Sequence, residues 1–493
     1  MTFKIMLIGE AAREHAIAEA IARSSYSPKL YSLMTYRNPG IARIAEKTGG
    51  GVVIGNFLDP GFVAGKASEL GVDMVVIGPE EPQFHGVANA VENHQIPCIG
   101  ARREVAEIER SKAFMRRLMW KYSIPGRLRF QVFKNVEDAV EYLKEYAESI
   151  AIKPARQVGG KGVKVLADLQ TYLSSDRCEV KVKHARDIYG KIMRDYVDID
   201  DKILVEERVE GPEYTLQCFT DGYTVLPTPL VQDHKAAFEM GIGQETGGMG
   251  TIASSNPTLP FITEEEYLES VRIVEESVKA LHRETGVRYR GAISGQMMLT
   301  TLWGPTIIEF YSRLGDPEAL NIMATMETDV VELFEAIVSG KLSKIKLRFK
   351  PLATVVKCIA PEGYPQRRDI AKGHLISVDE SSINALGCRV YYGSIHQSDK
   401  GLVTMGSRAV EIIAFAETIP EASRICERAV GYVKAIDGWR LFHRSDIGDP
   451  EVLARQVEQA ETIRNIYKYR ATRKLLGLHL DWIPGKGKIT IKY

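Results

Sequence analysis

Short apolar runs alternate with amphipathic helical stretches at the start of the chain. The runs cover residues 4–8, 30–34, 51–54, 73–77 and 97–99, and a helical spacing through His15, Ile17, Ile21 and Ala22 follows the first. Strands that alternate with helices predict a doubly wound parallel sheet over residues 1–103. Ligands of such sheets bind beyond the carboxyl ends of the strands. Those ends carry Gly9-Glu10-Ala11-Ala12-Arg13-Glu14-His15, Tyr36-Arg37-Asn38-Pro39-Gly40 and Gly78-Pro79-Glu80-Glu81-Pro82.

The pattern changes near residue 104. Residues 111–122 predict a basic amphipathic helix that stops before Ile124-Pro125-Gly126. A helix is expected near 136–147, with strands at 150–153 and 162–167 around a glycine-rich turn. Residues 170–200 are polar and helical in pattern, like an insertion beside a sheet. Strand runs return at 203–207 and 214–219, a long loop holds 232–250, a helix covers 264–284, and strands recur at 294–300 and 306–310. Residues 340–445 predict a strand-rich α+β region with its best strands at 352–360, 388–392 and 409–416. Beyond it, apolar residues at 453, 457, 460, 463, 467, 471 and 475 share one helical face. The fold class expected is a multidomain combination of α/β and α+β.

Charge narrows the function. The 493 residues hold 64 Lys+Arg against 64 Asp+Glu, a formal net charge of zero. Such a balance argues against a mainly electrostatic nucleic-acid binder, which needs surplus cations to neutralise phosphates. No run approaches the ~18 consecutive apolar residues of a membrane-spanning helix. The opening MTFKIMLIGE reads as a strand and not as a leader. Cys98, Cys178, Cys218, Cys358, Cys388 and Cys426 lack CxxC spacing. That argues against a zinc site or a disulfide framework and suits buried thiols in a reducing cytoplasm.

Four segments are candidates for chemistry. The first loop keeps only Gly9 of the GxGxxG dinucleotide fingerprint, so a nicotinamide dinucleotide is not expected. It still opens a helix N-terminus, where backbone N–H groups and the helix dipole favour an anion, and Arg13 adds positive charge. A phosphate site and a plain strand-to-helix turn both fit. Second, Lys153 ends a strand just before a turn with Gly159, Gly160, Lys161 and Gly162. The backbone of such a turn can approach nucleotide phosphates closely, with Lys153 as a point charge; a hairpin with turn glycines and solvated lysines also fits. Third, residues 205–213 link two strands and can offer backbone groups to an adenine edge and the Glu213 carboxylate to a ribose; a polar connection fits as well. Fourth, Glu309 leaves an apolar strand into Tyr311-Ser312-Arg313-Leu314-Gly315-Asp316-Pro317-Glu318. Mg2+ takes one or two carboxylates plus substrate oxygens, and Arg binds phosphate bidentately, so this segment suits Mg-phosphate chemistry. A salt-bridged strand end fits equally. No Ser nucleophile elbow, Cys–His pair or HExxH helix is visible. Among the 10 histidines, His234 in Asp233-His234-Lys235 is the functional candidate.

Taken in order, these segments resemble the phosphoribosylamine–glycine ligase family of the ATP-grasp superfamily, over about residues 1–450. Arg13-Glu14-His15-Ala16 is similar to its GxGGREHA signature, with Ala11 and Ala12 replacing two glycines. Residues 78–82 resemble GPEAPL, 111–115 resemble the SKxF helix start, and 153–163 match KxDGLAAGKGV in length, with Ala155 and Arg156 in place of Asp and Gly. Gln232-Asp233-His234-Lys235 followed by Thr246-Gly247-Gly248-Met249-Gly250 is the most specific match, to QDHK…TGGMG. Residues 309–318 are similar to EFNxRFGDPE with Tyr311 in place of Asn, and 444–448 resemble RxDIG.

The resemblance implies a substrate-binding α/β domain at 1–103 and an ATP-grasp domain at 104–335, with a flap subdomain at about 123–205. A C-terminal α+β domain would follow at 340–448, and a helical, basic extension at 449–493. It implies ATP-dependent joining of glycine to 5-phosphoribosylamine through a glycyl phosphate. The products would be glycinamide ribonucleotide, ADP and phosphate, in cytoplasmic purine biosynthesis. ATP with Mg2+ or Mn2+ would serve as cofactors. The expected partners are these small molecules, without membrane or nucleic acid, and the expected state is a monomer or small homo-oligomer.

Carried over residue by residue, Lys112, Lys153, Gly160, Lys161 and Gly162 would hold ATP phosphates. Glu206, Glu207, Val209 and Glu213 would hold adenine and ribose. Glu309 would bind the metal with Gln296, and Asp316 would fill the place left by the missing Asn. Gly9, Arg13, Glu80, Asp233, His234, Lys235, Thr246, Gly247, Gly248 and Arg313 would line the phosphoribosylamine and glycine sites, Asp233 and Arg313 being the catalytic candidates. Two other readings stay open. One is an ATP-grasp ligase with a different amine acceptor, for which Ala11 and Ala12 speak. The other is a non-catalytic binding or scaffold paralogue, for which Tyr311 and Ala155-Arg156 speak.

Overall fold

The computed structural model describes residues 3–135, 137–139, 150–156, 164–165, 183, 186–187, 201–478, 480–483 and 487–490. The chain begins with Lys4–Ile8 (β1), the helix Ala12–Ala22 (α1), Lys29–Met34 (β2), Gly51–Ile54 (β3), Met74–Ile77 (β4) and Cys98–Ile99 (β5). These strands form a parallel sheet in the order β3-β2-β1-β4-β5. Central β1 is covered on both faces: Ile5, Met6, Leu7 and Ile8 are each 0% exposed. That is why it reads in sequence as an unbroken apolar run instead of an alternation.

Two compact units emerge. The first gathers Met1–Ala106, Glu213–Gly295 and Tyr311–Glu458; the second gathers Glu107–Pro212, Gln296–Phe310 and Gln459–Tyr493. In the first unit a 6-stranded antiparallel sheet runs in the order Gln232–Asp233, Gly250–Ala253, Ala353–Pro361, Val410–Ala416, Arg389–Tyr392, with Leu441–Phe442 paired to the end of Ala353–Pro361. Thr251 faces Val356, and Val356 faces Ile413. This corrects the expected long loop at 232–250. Its ends are strands of the C-terminal region's sheet, and its middle is a ribbon of Ala236–Phe238 with Ile242–Glu245. Strands this short carry too few residues to show a period of two, and glycines flank them. A further 4-stranded sheet, Ile395–Ser398, Gly401–Met405, Lys372–Val378 and Val433–Ala435, was not anticipated. Its strands are half exposed and lack the continuous apolar runs of the buried ones.

The helix α1 is also fixed by that C-terminal sheet. The His15 ring stacks on Tyr392 with centroids 5.9 Å apart, and its Nδ1 accepts a hydrogen bond from the Tyr392 N–H at 2.9 Å. Gly40 lies against the same ring, so close that a Cβ there would fall 2.0 Å from His15 Cε1.

In the second unit Phe130–Phe133, Ile203–Glu207, Ile150–Pro154 and Lys164–Val165 form an antiparallel sheet in that order. The helix Lys112–Lys121 begins at Ser111, whose hydroxyl accepts from the Phe114 N–H at 3.1 Å, a standard N-cap. Ala113, Ala155 and Leu204 pack together and seat this helix on the sheet. Most of the helix expected near 136–147, most of the strand at 162–167, most of 170–200, and Gly160, Lys161 and Gly162 lie outside the described residues. The helix Pro450–Thr472 buries Ala460, Ile463 and Tyr467. Tyr467 fills the space over Gly304, where a Cβ would lie 3.0 Å from its ring. The buried face is narrower than predicted, since Ala471 is exposed. A ribbon of Leu480–Ile483 and Gly487–Thr490 follows. Among the described residues no helix is long and apolar enough to cross a membrane.

Candidate active site

The second unit collects most residues expected at the nucleotide. One turn of the helix Lys112–Lys121 places Lys112 and Arg116 on the same side, because residues four apart on a helix are neighbours. Lys112 Nζ lies 3.2 Å from Glu309 Oε1. Arg116 is 0% exposed and donates to Glu206 Oε2, Ile307 O and Ile308 O, each at 2.9 Å. Lys153 pairs with the other Glu206 oxygen. Burial pushes the Glu206 carboxyl up, yet the Arg116 and Lys153 charges outweigh it and hold it below the usual carboxylate range. Glu206 is therefore an anion shared by two cations, and Lys153 is presented on a fixed partner. Glu207 is engaged differently: its carboxylate accepts from the Arg129 N–H at 2.8 Å. Gln296 is buried on the strand next to that of Glu309.

One carboxylate and one amide oxygen are a donor set that Mg2+ or Mn2+ uses when substrate oxygens complete the shell. Among the described residues no three His, Cys, Asp or Glu side chains are grouped to hold a metal by themselves. Glu213, expected with the nucleotide, has its carboxylate 3.4 Å from Lys235 Nζ.

The first unit collects the residues expected at the acceptor. Gly248 has φ +113°, and a Cβ there would fall 2.4 Å from Asp233 Oδ1 and 2.7 Å from Pro317 Cδ. Three sequence-distant motifs therefore meet at a glycine that alone fits. The Thr246 hydroxyl donates to Lys235 O at 2.8 Å and accepts from the Gly248 N–H at 3.0 Å. The Gly247 N–H donates to the Tyr364 hydroxyl at 2.9 Å. Both ring nitrogens of His234 are buried without a hydrogen-bond partner among the described residues. Burial, and then the Arg444 charge, push its imidazole down to about 4, so the ring is neutral. Arg444 itself grips Asp446 through two bonds of 2.8 and 2.7 Å and reaches Ala236 O at 3.3 Å, which ties the 236–245 ribbon down.

Arg13, Glu80 and Arg313 do come together. Arg313 Nε lies 3.3 Å from Glu80 Oε2, its guanidinium sits 4.3 Å from the Tyr311 ring centre, and Arg13 Nη1 is 4.0 Å from Glu80. Burial raises the Glu80 carboxyl, but Arg313 and Arg13 bring it below its ordinary value.

At two expected sites the structure shows side-chain partners. At the N-terminus of α1, expected as an anion site, Glu14 folds back to accept from the Ala11 N–H at 2.8 Å, and Asp316 Oδ2 lies 3.4 Å from the Arg13 N–H. Arg13 Nε is bound to Glu14 at 2.5 Å and its Nη1 to Leu314 O at 3.1 Å. Glu14 and Asp316 are thus both acceptors at this loop. Gly9, whose Cβ would meet Glu14 Cγ at 2.5 Å, makes room for that carboxylate. Asp316, expected to fill in at the metal, is paired with an arginine. Its Oδ1 accepts from Arg408 Nη2 at 2.7 Å, and Arg408 and then Arg13 hold the carboxyl low against the effect of burial. Sequence reasoning missed Arg116, Tyr364 and Arg408. Only Arg116 carried a local signal, its helical spacing from Lys112.

Known proteins resemble the chain along nearly its whole length. The phosphoribosylglycinamide synthetase N domain matches residues 3–109, the ATP-grasp (A) domain 110–319 and the C domain 354–450. The phosphoribosylamine–glycine ligase of Methanopyrus kandleri is 41% identical over 463 residues, covering 94% of this chain and 99% of that protein. That of Pyrococcus horikoshii is 40% identical over 455 residues, covering 92% and 97%. The crystal structure of the Thermotoga maritima phosphoribosylamine–glycine ligase shares the fold, with a TM-score of 0.71 at 23% identity over 90% of this chain and 100% of that one. So does the biotin carboxylase domain of Hydrogenobacter thermophilus 2-oxoglutarate carboxylase in complex with MgADP, at 0.65 and 17% over 98% and 100%. With its three matched domains in order and relatives aligned over almost all of their length, the chain belongs to the phosphoribosylglycinamide synthetase family.

Proposed function

We propose that this chain joins glycine to 5-phosphoribosylamine at the expense of ATP, as its relatives are named for doing. The glycine carboxylate attacks the γ-phosphorus and ADP leaves, giving glycyl phosphate. The amine nitrogen then attacks the acyl carbon, phosphate leaves, and glycinamide ribonucleotide forms. No protein nucleophile is needed, so the residues act by holding and by stabilising charge. Lys112, Lys153, Gly160, Lys161 and Gly162 bind the ATP phosphates. Glu206, Glu207 and Val209 sit at the base. Glu309 and Gln296 hold Mg2+ or Mn2+, which supplies positive charge to the transferring phosphoryl group.

Asp233, Lys235, Glu80 and Arg313 face the acceptor substrates, with Thr246, Gly247 and Gly248 shaping the site and neutral His234 behind it. Glu213, paired with Lys235, stays assigned to the ribose. The domain boundaries at 103, 335 and 448 go with this reading, amended by the strands Gln232–Asp233 and Gly250–Ala253, which join the C-terminal sheet. A reducing cytoplasm suits Cys98, Cys218, Cys358, Cys388 and Cys426, all buried free thiols.

The observation that carries the reading is the meeting of Asp233, Gly248 and Pro317, which brings the QDHK, TGGMG and GDPE motifs to one place. The test is ADP release with glycine and freshly made phosphoribosylamine, against either alone. Release that requires both supports the ligase; release with another amine, or none, refutes it.

A further inference from the structure

Arg408 lies outside every motif that the sequence singles out, and its side chain is 11% exposed. It stands 160 residues beyond Gly248 and 92 beyond Asp316, yet it binds both segments. Nη1 donates to Gly247 O at 3.1 Å, Gly248 O at 3.0 Å and Asp316 O at 2.9 Å; Nη2 donates to Asp316 Oδ1 at 2.7 Å. A Cβ on Gly247 would lie 3.3 Å from Arg408 Cζ, so the turn presses directly on the guanidinium. From its other side, the Tyr364 hydroxyl accepts the Gly247 N–H. The third neighbour is Glu411, 3.6 Å from Arg408 Nε. Burial and the Asp316 charge push its carboxyl well above the ordinary carboxylate range, against the pull of Arg408.

Among the described residues, the hydrogen bonds of Arg408 go to two short segments. One is the turn that carries Thr246, Gly247 and Gly248 against Asp233. The other is the Gly315-Asp316-Pro317 stretch that follows Arg313. A planar guanidinium with five donors can hold two carbonyls of one segment and two oxygens of another in a single geometry; an ammonium cannot match that fork.

We propose that Arg408 is a positioning residue for the acceptor half of the reaction, clamping the 246–248 turn to Asp316 so that Asp233 and Arg313 meet phosphoribosylamine and glycine in fixed positions. The inference rests on the ligase reading above. Arg408 itself touches neither substrate.

The test is steady-state kinetics of the full chain and of R408K and R408A, with each substrate varied in turn and Tm recorded. In R408K, KM for phosphoribosylamine or glycine should rise about tenfold or more while KM for ATP stays within about twofold, as expected when orientation at one substrate is lost. In R408A, added guanidinium chloride at low millimolar concentration should recover part of the lost acceptor affinity. Parallel rises in all three KM values with a lowered Tm would reduce Arg408 to a stabilising contact and overturn the proposal. Unchanged KM values in R408K would overturn it as well. A parent that releases no ADP in response to both substrates refutes the ligase reading, and the role of Arg408 with it. A parent that turns over beside an indifferent R408K refutes the role alone.

Discussion

Lys112 Nζ and Glu309 Oε1 are 3.2 Å apart, a helix start and a strand end joined by one ion pair. On the proposed function, the carboxylate would exchange this lysine for a divalent cation when nucleotide phosphates take the lysine. Glu309→Gln removes the charge that makes the exchange favourable. ADP formation should fall by about two to three orders of magnitude, the usual loss when a main electrostatic stabiliser goes, and the Mg2+ requirement should rise. Tyr311→Phe should change little, because the ring that packs on Arg313 at 4.3 Å remains. A Mg2+ titration of ADP release for both variants decides; a Tyr311→Phe loss as deep as that of Glu309→Gln would make the phenol a ligand.

Glu206 offers a stability prediction. It is the one anion between buried Arg116 and Lys153. Glu206→Gln leaves two cations facing each other in a dry site. Removing one partner of a buried pair costs about 3–5 kcal/mol, and urea unfolding should show a loss of that order. Lys153→Met leaves the Arg116–Glu206 pair intact, so it should lose less stability while raising KM for ATP. The reverse ranking would mean that the triad does not hold Lys153 in place.

Asp316→Asn separates metal binding from clamping. The carboxylate is bonded to Arg408 at 2.7 Å. The variant should keep the parent's Mg2+ midpoint and weaken phosphoribosylamine binding. A shifted Mg2+ midpoint with an unchanged amine KM would restore Asp316 as a metal ligand.

Acid should destabilise the fold through two histidines. Burial pushes His15 down to about 3 and His234 down to about 4, from an ordinary 6.5. Above 6.5 both are neutral in the folded and the unfolded chain, and their contribution is complete. As pH falls from 6.5 towards 4, the unfolded chain takes up a proton at each ring and the folded chain does not, so stability is lost. Each ring contributes a slope of about 1.4 kcal/mol per pH unit. His15→Gln keeps an acceptor for the Tyr392 N–H but cannot titrate. Between about pH 6 and 5 its stability should fall less steeply than the parent's by one such slope. Parallel slopes would mean that His15 is protonated in the fold.

The parallel sheet was legible because β1 to β4 are apolar runs punctuated by helices. The meeting of Asp233 with Gly248 was legible only as motifs in a row, since pairing of two- to four-residue strands leaves no periodic trace. Arg408 was invisible for a different reason. Its acceptors are mostly backbone carbonyls, which every residue has, so nothing in the sequence around Gly247 or Asp316 asks for an arginine far downstream. The same arginine gives Asp316 a partner that its place after Arg313 does not announce, a guanidinium from another segment.

The shared antiparallel sheet also imposes an order on biosynthesis. A ribosome releases the N-terminus first, and the segment ending at Ala253 emerges well before Ala353–Pro361, the strand that must pair with it. His15 likewise waits for Tyr392, and the carbonyl of Gly248 for Arg408, which is 160 residues later. The nascent chain can close the antiparallel sheet of residues 130–207 early, whereas the 246–248 turn takes its final shape only when translation is nearly finished. A truncated product ending before residue 408 would therefore retain that sheet while its acceptor turn lacked the clamp.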